Sequence, residues 1–192
     1  MIIGVMGHSG SGKSTFCEEL KNKGAYIIDA DKIGKDILKK GSSALDKVID
    51  AFGEEYLNPD KSLNRKKLGE TVFKDKKRLE TLNSITWGEI EKEIEKEIEE
   101  NKDKLIILDC PLLLEIETYK KCDEVIFIDV PKDVLIKRIT KRDNISEETA
   151  KNRIESQSCD FKSKATIIIK NDNLDDLKNK AKSLMKGWIK WV

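Results

Sequence analysis

The stretch "GVMGHSGSGKST", residues 4–15, crowds four glycines, the chain's single histidine, a lysine and a Ser-Thr pair into one short segment. Glycine weakens helices and strands, so such density has a local cause. Gly7-His8-Ser9-Gly10-Ser11-Gly12-Lys13-Ser14 fits the pattern G-x-x-x-x-G-K-[ST]. An apolar run precedes it and a helical pattern follows, the context in which this pattern forms a phosphate-binding loop. Glycines allow successive backbone N–H groups to converge on one anion. The start of the following helix adds its positive end. Gly10, Ser11 and Gly12 supply the cradle, and Lys13 places a point charge against the β- and γ-phosphates. The Ser14 hydroxyl is a Mg²⁺ ligand, and Thr15 steadies the α-phosphate side. His8 sits at a variable loop position and is expected to face solvent or to pack.

Outward from the loop, short apolar runs alternate with helical patterns. IIGVM (2–6), AYIID (25–29), KLIILD (104–109), EVIFID (124–129) and ATIII (165–169) read as buried strands. Their near-continuous apolar character predicts an α/β fold with a parallel sheet covered on both faces. Between the second and third strands lies an insertion that reads as helices over 42–52, 64–73, 75–84 and 86–101. In "EIEKEIEKEIEENKDK" (89–104), Ile90, Ile94 and Ile98 form one stripe of an ordinary amphipathic helix.

Lys+Arg is 37 and Asp+Glu 36, a net charge of +1, which gives no case for nonspecific nucleic-acid or membrane binding. No apolar run approaches the roughly 20 residues that span a bilayer. The N-terminus has no secretory pattern. Cys17, Cys110, Cys122 and Cys159 form no metal or disulfide spacing, so they read as reduced thiols in a cytoplasm.

A phosphate loop predicts nucleotide binding without naming the reaction. A GTPase, a macromolecular ATPase and a small-molecule kinase all use one. Asp31-Lys32-Ile33-Gly34 matches the D-x-x-G of a GTPase but follows the second strand. Asn179-Lys180-Ala181-Lys182 lacks the Asp that reads guanine. The kinase reading has more support. "IIDADKIG" (27–34) carries Asp29 and Asp31 at the second strand's end, where open α/β sheets bind ligands. A carboxylate there orients a hydroxyl and accepts its proton; the alternative is that Asp29 or Asp31 only caps the next helix. Alternation points the two the same way if strand pairing does not end between them. Asp109, in "LIILDCPLLLE" (105–115), ends the third strand where a carboxylate holds Mg²⁺. In "VLIKRITKRDNISEETAKNRIESQ" (134–157), Arg138 and Arg142 share a helix face. Ser146 caps a further helix carrying Arg153 and Gln157. Such arginines suit a lid that neutralises a transferring phosphoryl group.

Taken together, these motifs resemble the dephospho-CoA kinase family over nearly the whole chain. The matching segments are "GHSGSGKST", "IIDADKIGKDIL", "ALDKVIDAFGEEYL", "SLNRKKLGETVFKDKKRLETLNSIT", "DCPLLLE", "RITKRDNISEETAKNRIESQ" and "IIIKND". The resemblance implies a P-loop kinase three-layer α/β/α sandwich with five parallel strands in the order 2-3-1-4-5. It implies a core of residues 1–40, 103–135 and 160–192, a helical CoA-substrate insertion of about 41–102 and a lid of about 136–159. It implies transfer of the ATP γ-phosphate to the 3′-hydroxyl of the dephospho-CoA ribose, with Mg²⁺, by a cytoplasmic enzyme expected as a monomer. In that picture Asp31 is the general base, Lys13 the phosphate lysine and Arg142 the lid arginine. Arg138 and Asn171 lie on the ATP side, Asn171 near adenine, and Arg65 and Leu112 on the acceptor side. The chain departs from the family with Trp87-Gly88 for a usual His-Pro and Leu114 for a usual Phe. Nucleoside and deoxynucleoside monophosphate kinases share the fold and form the alternative.

Overall fold

The computed structural model describes residues 1–72, 74–111, 113–155 and 160–188. In chain order the elements are β1 (Ile2–Met6), α1 (Lys13–Lys21), β2 (Tyr26–Asp29), α2 (Ala30–Asp36), α3 (Ser43–Phe52), α4 (Arg65–Val72), α5 (Lys76–Glu100), β3 (Ile106–Asp109), β4 (Glu124–Asp129), α6 (Lys132–Asp143), α7 (Glu147–Glu155), α8 (Phe161–Lys164), β5 (Ile167–Lys170) and α9 (Leu174–Trp188). The five apolar runs form one parallel sheet in the order β2-β3-β1-β4-β5, as expected. β1 lies between β3 and β4, with Val5 opposite Asp109 and Met6 opposite Phe127. The chain therefore leaves β1 at the centre of the sheet's carboxyl edge, the crevice where such sheets bind ligands.

Two compact units divide the chain: Met1–Asp29 with Glu97–Val192, and Ala30–Lys96. In the first, alternate strand residues serve opposite faces. Ile3, Val5, Ile107, Ile126, Ile128 and Ile169 pack with Phe16, Cys17 and Leu20 of α1 and with Leu177, Ala181, Met185 and Trp188 of α9. Each Val, Leu, Ile, Phe or Met side chain among them contributes about 1.5–3 kcal/mol on removal from water. The opposite face carries Gly4 and Phe127. A Cβ at Gly4 would lie 2.4 Å from Leu113 Cδ2, so a small residue is needed there. Phe127 stacks on Phe161 of α8. A smaller cluster of Val130, Leu135, Ile136, Ile139, Ala150 and Ile154 holds α6 against α7.

The second unit has its own core of Leu38, Ala44, Leu45, Val48, Tyr56, Leu63, Leu68 and Val72. Helices α3, α4 and α5 begin at side-chain caps. The Ser42 hydroxyl accepts from Leu45 N at 3.2 Å, Asn64 Oδ1 from Lys67 N at 3.0 Å, and Asp75 Oδ1 from Lys77 N at 2.9 Å. Two sequence expectations change here. The helices read at 75–84 and 86–101 are one continuous helix, α5. Trp87 and Gly88 keep their backbone N–H groups, and an interior glycine costs a helix only about 1 kcal/mol relative to Ala, which a 25-residue helix absorbs. The stripe is as read: Ile94 is fully buried, with Ile90 and Ile98 half-buried. The second change is at β2. The strand ends at Asp29, and helix α2 starts at Ala30, so strand alternation does not carry from Asp29 to Asp31. Ala30 is a strong helix former, and Asp31 falls in a first turn, where a carboxylate is favoured.

Candidate active site

The phosphate loop links β1 to α1. Ser11 N donates to His8 O at 2.9 Å, closing the turn, and Phe16 N takes Gly12 O at 3.0 Å as the first bond of α1. Gly12 is the N-cap, at φ 93° and ψ 10°, a left-handed conformation that glycine adopts without cost from a Cβ. No side chain caps α1, and its first turn holds no carboxylate. The helix's positive end thus keeps its capacity for an external anion. Lys13 begins α1, Ser14 is exposed beside it, and Thr15 is half-buried.

Asp109 stands opposite Val5 on β1 and opposite Asp29 on β2. Lys13 Nζ pairs directly with Asp109 Oδ1, and the two side chains are only 13% and 11% exposed. A cation from the loop and a carboxylate from the strand therefore meet at one point, 96 residues apart in sequence. Burial first, and then neighbouring Asp109, pushes the Cys17 thiol well above its usual range, so Cys17 stays a protonated core thiol. Cys110 is also buried and free, and Cys122 is half-buried, with burial pushing its thiol up to about 12. Cys159 lies outside the described residues.

Helix α6 brings two arginines to the loop. Arg138 Nη1 donates to Gly10 O at 3.3 Å, and Arg142 Nη2 to Ser9 Oγ at 3.0 Å. The shared face expected of these two residues thus turns toward residues 9–10. Arg142 also grips Asp143 with two bonds, Nε to Oδ1 at 2.7 Å and Nη2 to Oδ2 at 2.9 Å. Arg153 Nη1 on α7 donates to the same Asp143 Oδ2. These bonds, Arg142's first, hold the Asp143 carboxyl down at about 2, and the same carboxylate raises Arg142. Lys132 and Glu155 tie α6 to α7 at 2.8 Å. Ser146 caps α7 as read, its hydroxyl accepting from Thr149 N at 3.1 Å.

His8 packs. Its ring lies edge-on to Phe161 at 5.2 Å and to Phe127 at 6.1 Å, and burial lowers its pKa. Asn171 is 1% exposed and donates Nδ2 to Ser11 O at 2.6 Å. Asp31 and Arg65 belong to the second unit, where Arg65 Nη2 donates to Lys35 O at 2.5 Å. Leu112 and Gln157 lie outside the described residues. Sequence reasoning assigned no role to Ser9 or Asp143. A signal existed for Asp143: it follows Arg142 directly, and the Ser146-capped turn brings Arg153 back towards it. For Mg²⁺, the hard oxygen donors of Ser14 and Asp109 fit a cation that takes few protein ligands beside substrate phosphates. Among the described residues no cluster of three or more His, Cys, Asp or Glu side chains forms a metal cage, and no helix is long and apolar enough to cross a membrane.

Known proteins share this fold. A solved structure titled dephospho-CoA kinase, from Campylobacter jejuni, superposes with a TM-score of 0.71 at 32% identity, covering 96% of this chain and 95% of that one. Shikimate kinase from Aquifex aeolicus, at 19% identity and a TM-score of 0.55 over 98% of this chain and 97% of its own, shares the fold. A curated dephospho-CoA kinase of Dehalococcoides mccartyi is 41% identical over 192 residues, 96% of each chain. The family model described as dephospho-CoA kinase matches residues 1–176, and the chain belongs to that family.

Proposed function

We propose that the chain transfers the γ-phosphoryl group of ATP to the 3′-hydroxyl of the dephospho-CoA ribose. The observation that carries this is the convergence of Lys13, Asp109, Arg138 and Arg142 on one phosphate loop in a chain of this family. Phosphoryl transfer needs little covalent help from a protein; positioning and charge neutralisation do most of the work. Gly10, Ser11 and Gly12 bind phosphate oxygens through backbone N–H groups. Lys13 and the arginines neutralise the charge that shifts onto the bridging and leaving oxygens. Ser14 and Asp109 would hold Mg²⁺, which would supply positive charge to the phosphates. Thr15 steadies the α-phosphate side. Asp31 orients the ribose hydroxyl and accepts its proton, and Arg65 and Leu112 serve the acceptor. The segment of about 136–159 acts as the lid that keeps water from the γ-phosphate, and the helical insertion of about 41–102 binds the acceptor. We further propose that the enzyme works in the cytoplasm as a monomer.

The test is an acceptor panel with Mg-ATP: dephospho-CoA against dAMP, dGMP, dTMP, dCMP and phosphopantetheine. Turnover with dephospho-CoA is expected. Turnover confined to a nucleoside monophosphate would overturn the proposal in favour of a nucleotide kinase.

A further inference from the structure

We infer that Asn171 is a positioning residue of the phosphate loop, holding the Ser11–Gly12 peptide so that its N–H faces the nucleotide's β-phosphate. This rests on the nucleotide-binding reading above and adds a role to a residue 160 positions away from the loop.

The geometry begins with the backbone. Asn171 N donates to Asp129 O at 3.0 Å, continuing the β4–β5 ladder one residue past β5 and fixing the Cα of Asn171. From there the side chain reaches the loop, and Nδ2 donates to Ser11 O at 2.6 Å in a buried contact. Only the amide nitrogen can face a carbonyl oxygen, so the chemistry sets the orientation of the amide. In a trans peptide the C=O and the following N–H point to opposite sides. Turning the Ser11 carbonyl into the protein therefore turns the Gly12 N–H outward. Gly12 makes the approach possible: a Cβ there would lie 2.6 Å from Asn171 Nδ2.

The same glycine makes the peptide plane easy to reverse, because glycine occupies positive and negative φ almost equally. Without the amide, the buried Ser11 carbonyl loses its partner, and rotating outward relieves it. An outward carbonyl would meet phosphate oxygens with a partial negative charge instead of a donor. Asn171 thus biases a two-position peptide towards the arrangement that binds anions. Its amide nitrogen is committed to the loop, and the side chain is almost wholly covered.

The experiment uses the full chain and its Asn171→Ala and Asn171→Asp variants. Asp keeps the size of Asn but replaces the donor with an acceptor. Calorimetry measures ATP, ADP, AMP and GTP, and steady-state kinetics give both KM values. We expect ATP and ADP to weaken roughly 10- to 100-fold in both variants. AMP, which has no β-phosphate, should change less than about twofold on the same reasoning. The ATP:GTP ratio and the KM for dephospho-CoA should hold. Equal weakening of AMP and ATP with a changed ATP:GTP ratio would overturn the inference and place Asn171 on the base. Unchanged ATP binding would also overturn it. Loss of folding in both variants, seen by circular dichroism, would make the contact a core contact and overturn it too. Wild-type protein that binds neither ATP nor ADP would instead sink the kinase reading itself.

Discussion

Replacing Gly12 with Ala tests how tightly the phosphate loop is built, and its cost can be worked from two separate terms. Gly12 has φ 93°, where a Cβ costs roughly 1–2 kcal/mol. The added methyl would also lie 2.6 Å from Asn171 Nδ2 and 2.9 Å from Leu177 Cδ2. Both neighbours are buried, and Leu177 belongs to the main core. Overpacking of that kind costs about 1–3 kcal/mol. Gly24 provides the control. Its φ is 100°, and a Cβ there meets nothing within 4 Å. Gly24→Ala therefore carries the conformational term alone, and both variants share the small gain from a stiffer unfolded chain. Urea denaturation should show Gly12→Ala less stable than Gly24→Ala by about 1–3 kcal/mol. If the loop instead shifts to relieve the contact, the phosphate cradle shifts with it, and kcat/KM for ATP falls. A Gly12→Ala variant matching Gly24→Ala in stability and wild type in turnover would refute the reasoning.

The remaining predictions concern charge. Lys13→Ala should lower kcat by on the order of a hundredfold, about 3 kcal/mol of transition-state stabilisation, with unchanged circular dichroism; near-wild-type turnover would contradict the role given to the Lys13–Asp109 point. Asp31→Asn should retain ATP and dephospho-CoA binding and lose roughly 10²- to 10⁴-fold in single-turnover rate, because Asn cannot accept the hydroxyl proton. Asp29→Asn should be much milder, and the reverse ranking would assign the base to Asp29. Asp143 has a carboxyl held at about 2 against an ordinary 3.8, so its contribution is present above about pH 4 and is lost as pH falls from there toward 2. Carboxylate NMR should give that low midpoint, and Asp143→Asn should remove this part of the acid limb; a midpoint near 4 would mean the arginines do not hold it in solution.

The sheet was legible because its signal is local. Each strand is a continuous apolar run, and a parallel strand covered on both faces requires that pattern. The phosphate loop was legible for the same reason, since Gly7 to Ser14 carry the strand exit, the turn and the helix start within eight neighbouring residues. The Ser146 cap and the Ile94 stripe are likewise features of single helices. The break near residue 85 failed as a reading because helix continuity depends on what is absent: no proline interrupts Lys76–Glu100, and one glycine is too weak to stop it. The alternation of Asp29 and Asp31 failed because a strand's end is set by pairing. Asp29 is the last residue matched to β3, and its successor is already helical. Least legible were contacts made by register across the sheet. Lys13 meets Asp109 because β1 and β3 are neighbours, and Asn171 meets Ser11 because β5 stops one residue short of it. Neither spacing, 96 or 160 residues, has a periodic signature. Lys13 and Asp109 could still be named from the chemistry that phosphates and Mg²⁺ demand. Asn171 could not be given its contact that way, because holding a carbonyl demands only a donor, and many residue types supply one.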